Sequence, residues 1–141
     1  MIIFKILFNL FFLISVYEDI KKKIIPEFCI ILMLIIAIIN AIIYKNFSIL
    51  YYSISIYCLP FYIIIIIETY LQKELIGLGD LKLMLAIGAY FSNTDLYFLN
   101  LYYALTYTIA LISVVIFQPK EKYIPLAPML YISYLILEIW G

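Results

Sequence analysis

Few side chains in this sequence can do chemistry: nine acids, nine Lys, no His, and two cysteines, Cys29 and Cys58, both inside apolar runs. Without His or clustered cysteines, neither a zinc site, a His-based triad nor a disulfide framework can be assembled. Ser15, Ser48, Ser53, Ser55, Ser92, Ser113 and Ser133 have no His partner, and nothing in the spacing places a Ser–Lys pair. What remains is carboxylate chemistry, and two acids stand out by context. Asp80 follows Gly77-Leu78-Gly79, and glycines beside an acid let the backbone approach a substrate closely or adopt positive φ. Asp19 closes the first apolar stretch and precedes Lys21-Lys22-Lys23 and Pro26. Two Asp carboxyls in one site do not both ionise readily, so the pair holds a proton between them. Such a dyad acts as base toward a water while donating a proton to a scissile amide. Each acid also has a plain structural reading. Asp80 can cap the helix that follows it, and Asp19 can be a charged flank that stops a membrane span.

Helices in lipid must position such a pair. Hydrophobic residues make up 68% of the 141, charged residues 13%, and mean hydropathy is +1.16, whereas a soluble domain is about half apolar and a quarter charged. A chain this short has too little interior to hide that excess. It is therefore expected to be an all-α integral membrane protein, a bundle of about six transmembrane helices in a single domain, 1–141. Balanced Lys and acid counts leave no basic field for nucleic acid. A span needs roughly 20 mainly apolar residues, and the candidates are 2–17, 28–44, 50–67, 75–91, 96–117 and 124–140. Pro60 is a kink in the third. Pro125 and Pro128 fall in the first turn of the last, where a missing N–H is tolerated. The fourth is free of charge only over 83–91, so it reads as a short helix preceded by an irregular Gly-rich loop, Gly77–Asp80. Irregular backbone at membrane depth must be covered by protein or water.

Orientation follows from the cations. Lys21, Lys22, Lys23, Lys73, Lys82, Lys120 and Lys122 gather at one face, and only Lys5 and Lys45 at the other. Positive residues mark the cytoplasm, so segments 18–27, 68–80 and 118–123 belong inside and both termini outside. Asp19 and Asp80 then share the cytoplasmic face, brought there by different helices. Fifteen Tyr and one Trp supply interfacial anchors.

Three motifs in order resemble one family. Gly77-Leu78-Gly79-Asp80-Leu81-Lys82-Leu83 resembles the Gly-x-Gly-Asp-x-Lys-Leu signature of type IV prepilin peptidases and archaeal preflagellin peptidases. Asp19 with Ile25-Pro26 resembles their first-aspartate motif, an Asp followed by basic residues and Ile-Pro-Asn, with Glu27 in place of the Asn. Ile124-Pro125-Leu126-Ala127-Pro128 resembles the Ile-Pro-Phe-Ala-Pro segment that opens their last helix. The resemblance implies a membrane aspartyl endopeptidase with Asp19 and Asp80 as catalytic dyad, needing no metal and no cofactor. It implies that prepilin-like or preflagellin-like substrates lose their leader on the cytoplasmic side, typically after a Gly just before the hydrophobic helix. Gly77, Gly79, Lys82, Pro26, Pro125 and Pro128 are the accompanying loop and substrate-side positions. The larger bacterial members carry a cytoplasmic domain with paired Cys-x-x-Cys motifs and N-methylate the new terminus. This chain has neither the cysteines nor room for that domain, which implies peptidase activity alone.

Other readings remain open at this point. Presenilin-like and signal-peptide-peptidase-like enzymes also use Gly-x-Gly-Asp, but with more spans and no Ile-Pro motif. A proton-relay carrier would place acids in steps across the membrane, whereas these cluster at one face. A non-enzymatic scaffold of a pilus or secretion machine would not need intact aspartates. Among neighbours, Lys82 is expected to snorkel to the interface, with steering of an acidic substrate residue or lowering of the Asp80 pKa as alternatives. Gly88 is expected to ease helix packing. Glu18 stands beside Asp19 but has the wrong spacing to Pro26 for the family motif.

Overall fold

Backbone polar groups in hydrocarbon must bond within the chain, and a helix achieves this within a single segment. The computed structural model describes residues 2–44, 47–73, 76–117 and 124–140. They form six helices, with no strand among the described residues: α1 (Ile2–Lys22), α2 (Glu27–Tyr44), α3 (Phe47–Leu71), α4 (Leu78–Phe91), α5 (Leu96–Phe117) and α6 (Ala127–Trp140). Lys45, Lys120 and Lys122, which entered the comparison of the two faces, lie outside the described residues.

Helix ends depart from the sequence reading in ways that matter for the site. α1 runs past its apolar stretch through Glu18-Asp19, because Lys21 and Lys22 in its last turn complement the negative end of the helix dipole. It closes at Lys23, which has φ 56° and whose N–H donates to the Asp19 carbonyl at 2.9 Å, a left-handed cap of the kind that satisfies orphan carbonyls. Asp19 therefore stands on a helix and not in a flanking loop. After Ile24 and Ile25, the Pro26 carbonyl accepts the N–H groups of Cys29 at 3.1 Å and Ile30 at 3.4 Å and so starts α2.

At α4 the N-cap is Gly77 with φ −71° and ψ 140°, and Leu78-Gly79-Asp80 already form the first turn. The Gly-x-Gly-Asp motif thus straddles a helix start, where the sequence suggests an irregular loop, and Asp80 does not cap its helix. None of the described glycines has positive φ, so conformational freedom is not what these positions use. α6 begins at Ala127. Pro125 therefore precedes the helix instead of lying in its first turn, while Pro128 does lie there.

α4 is the centre of the bundle, packing on α2, α3 and α6, while α1 packs on α2 and α6 and α5 on α6. It buries Leu83, Met84, Ala86, Ile87, Gly88 and Ala89. Gly88 sets its distance from α3: a Cβ there would lie 2.9 Å from the Tyr57 Cβ and 3.3 Å from the Ile54 Cα. Ser53 on α3 uses that approach to donate its hydroxyl to the Gly88 carbonyl at 2.8 Å. Close contact through small residues, with a side-chain hydrogen bond across it, is how helices associate where solvent gives no hydrophobic drive.

Apolar side chains also cover the outside, including Ile3, Ile31, Ile42, Ile66, Leu111 and Val115. Among the described residues two helices, α3 and α5, are long and apolar enough to cross a membrane, and only 28% and 22% of their most apolar windows are buried in the bundle. A soluble protein's core helix would be mostly buried, so the low burial of these two is what helices in an apolar medium would show. α2 and α6 are shorter apolar helices.

Candidate active site

The last turn of α1 and the first turn of α4 meet at one end of the bundle, and each brings an acid. Asp19 and Asp80 are 4% and 8% exposed. They share the wall of one cavity of about 460 Å³, lined further by Lys23, Ile25, Glu27, Gly77, Gly79 and Lys82. Gly79 lies against the link that follows Asp19. A Cβ added there would touch the Ile25 side chain at 3.4 Å, so a larger side chain would push α4 away from the link that follows Asp19. The close contact here is with the chain's own Ile25, not with a substrate.

Each carboxyl has backbone support. The Asp19 Oδ2 accepts the Ala127 N–H at 3.1 Å, which joins α1 to the first residue of α6. Asp80 is held by its own turn, its N–H donating to the Gly77 carbonyl at 3.1 Å. Asp19 follows the apolar stretch 2–17, and Asp80 precedes the charge-free run 83–91. Burial pushes Asp19 above the ordinary carboxylate value, with the Ala127 N–H pulling the other way. Asp80 is raised by burial first and then by the charge of Asp19, against a hydrogen bond from the Gly77 backbone. A carboxyl raised by the charge of its neighbour is coupled to it, so the two titrate as a pair.

Around the opening, Lys82 on α4 donates to Glu27 at the start of α2 as an ion pair. Both are well exposed, Glu27 at 73% and Lys82 at 45%, so the pair spans the rim without sealing it. Lys82 therefore meets an acid of its own chain instead of snorkelling alone, and this pairing holds Glu27 below the usual carboxylate range. Glu18 turns away from the cavity and pairs with Lys22 at 2.6 Å.

The structure thus brings Asp19, Asp80, Gly77, Gly79 and Lys82 into one cavity. Pro26, Pro125 and Pro128 do not line it; they set the starts of α2 and α6. Sequence reasoning missed Lys23, Ile25 and Ala127. Lys23 was hidden in a charge cluster. Ala127 acts through its backbone, which no side-chain motif reports, although a residue preceding Pro128 at a helix start was a usable signal.

A family model described as the type IV leader peptidase family matches residues 6–118. The chain belongs to that family. The match takes in both Asp19 and Asp80 and ends before the Ile124–Pro128 segment. Membership in the leader peptidase family makes this a peptidase-type membrane protein. No curated protein and no solved structure matches the chain.

Proposed function

We propose that this protein is a membrane aspartyl endopeptidase that removes the leader of prepilin-like or preflagellin-like proteins at the cytoplasmic face. The observation that carries the reading is that Asp19 and Asp80, far apart in the chain, are both buried and line one cavity. In this reading one carboxylate takes a proton from water while its partner, still protonated, donates to the carbonyl oxygen of the scissile amide. Six helices cross the membrane as one domain, with both termini outside. Support for that orientation comes from Lys21, Lys22, Lys23 and Lys82, which share the dyad's end of the bundle. The enzyme uses no metal or cofactor and does not methylate its product.

The test is cleavage of a small panel of prepilin-like substrates, read as a gel shift, beside the Asp80→Asn variant. Cleavage at the junction between leader and hydrophobic helix should vanish in the variant. A panel cut by a related enzyme but left intact by this folded protein would overturn the reading in favour of a carrier or scaffold.

A further inference from the structure

The two aspartates are not equivalent, and α6 is what distinguishes them. A helix start leaves its first N–H groups without partners inside the helix, and in α6 they can be accounted for one by one. Pro128 has no N–H. The amides of Met129 and Leu130 donate to the Leu126 carbonyl at 3.0 and 3.1 Å. The amide of Ala127 is left over, and it donates to the Asp19 Oδ2 at 3.1 Å. The segment Pro125-Leu126-Ala127-Pro128 thus presents a donor at the positive end of a helix to one member of the dyad.

We propose that this contact makes Asp19 the ionised member and general base of the pair, and leaves Asp80 the protonated member and general acid. The inference rests on the aspartyl peptidase reading above. Hydrolysis then balances as follows. A water bound between the pair loses a proton to Asp19 as its oxygen bonds to the amide carbon, and Asp80 gives its proton to the carbonyl oxygen. The gem-diol collapses when Asp19 returns its proton to the leaving nitrogen and Asp80 takes a hydroxyl proton. The C–N bond breaks, a carboxylic acid and an amine are released, and both aspartates regain their starting states.

Competing influences do not reverse this assignment. Asp80 sits in the first turn of α4, so both acids feel a helix N-terminus and the dipoles alone do not separate them. The charged groups around Asp19 largely cancel in pairs: Glu18 with Lys22 on α1, and Glu27 on α2 with Lys82 on α4. Lys23 lines the cavity from the α1 end, and α6 places no acid in its first turn. The Gly77 backbone also favours the Asp80 carboxylate from within its own turn, but only Asp19 accepts a donor brought from a separate helix, the Ala127 N–H at 3.1 Å. Consistently, the Asp19 charge is among the influences that raise Asp80.

Infrared difference titration of the full-length protein in lipid nanodiscs tests the roles. In Asp80→Asn the remaining carboxyl, Asp19, should ionise at lower pH than does Asp80 in Asp19→Asn. The same or the reverse order overturns the assignment. Two variants of the donor sharpen it. Ala127→Pro removes the N–H at a first-turn position that accommodates proline, so the acid limb of kcat/KM should move up by about one pH unit, the size expected for one charge-assisted hydrogen bond. Ala127→Gly keeps the N–H and should keep that limb in place. An unmoved limb in a folded Ala127→Pro protein counts against the proposal. Should the buried site reject the proline ring, the titration order decides alone. Cleavage that survives in Asp19→Asn or Asp80→Asn would instead sink the dyad itself, so the two failures are distinguishable.

Discussion

Where α1, α4 and α6 come together, their two ends are built in opposite ways. At the far end from the dyad, Phe8 stacks on Tyr90 with ring centroids 4.1 Å apart, and Phe12 meets Tyr131 at 4.8 Å. Polar groups there are tied off against each other. Lys5 pairs with Glu138 at 3.5 Å, and the Tyr90 hydroxyl donates to Glu138 at 3.1 Å. The Asn9 amide donates to Tyr134 at 3.3 Å and accepts from the Tyr131 hydroxyl at 3.2 Å. At the dyad end α1, the link to α2 and the first turn of α4 line a cavity, and α6 is joined to α1 through the bond from Ala127 to Asp19. Filled space and paired polar groups make the first end a clamp. The second end stays hollow, which on the proposed function leaves room for a peptide and a water beside carboxyls that few other contacts hold. Clamping one end sets the register of α6 against α1, and that register delivers the Ala127 amide to Asp19.

If this contrast is right, the largest effect comes from the hollow end and concerns activity alone. Asp19→Asn or Asp80→Asn should lower cleavage at least about a thousandfold, the upper range for loss of a general acid or base, with membrane insertion and thermal unfolding unchanged. Either variant losing its fold would show that the acids hold the bundle together, and the contrast between the ends would break. The next effect belongs to α4 near the clamp. Gly88→Ala places a Cβ 2.9 Å from the Tyr57 Cβ and should destabilise by about 1–3 kcal/mol, as overpacking does. Gly79→Ala meets Ile25 only at 3.4 Å, so it should unfold near the wild-type temperature while cutting several-fold more slowly. Equal melting of the two variants would remove the distinction.

Glu138→Gln is a milder test of the clamp. It removes the Lys5 pair and weakens the Tyr90 bond, and should reduce stability by about 1–2 kcal/mol with little change in kcat/KM at saturating fold. Loss of activity without loss of stability would mean that the far end does more than hold α6 in place. Smallest of all are Lys82→Gln and Glu18→Gln, which disturb exposed ion pairs of little energetic weight. Both should retain cleavage within about threefold, measured on the same substrate panel.

The six helices were readable from the chain because length and hydropathy alone demand them, and α5 starts and ends where its apolar run does. Boundaries failed wherever charge entered. Asp19 reads as a flank because acids usually end a span, yet Lys21, Lys22 and the left-handed Lys23 carry α1 beyond it. Asp80 reads as a cap because it follows glycines, yet Gly77 takes that place. Both candidate acids were legible in the sequence. The partners that orient them were not, since a backbone amide from α6 and a close contact with Ile25 leave no pattern of residue types.

By itself the sequence determined the class of molecule and the chemistry open to it. An excess of apolar residues forces helices into lipid, and the lack of His leaves carboxylates as the readily available acid and base. Tertiary structure alone decided which acids meet and how they differ. Periodicity and composition describe each segment separately, whereas the cavity depends on α1, α2 and α4 arriving in register, which only packing between distant segments can set.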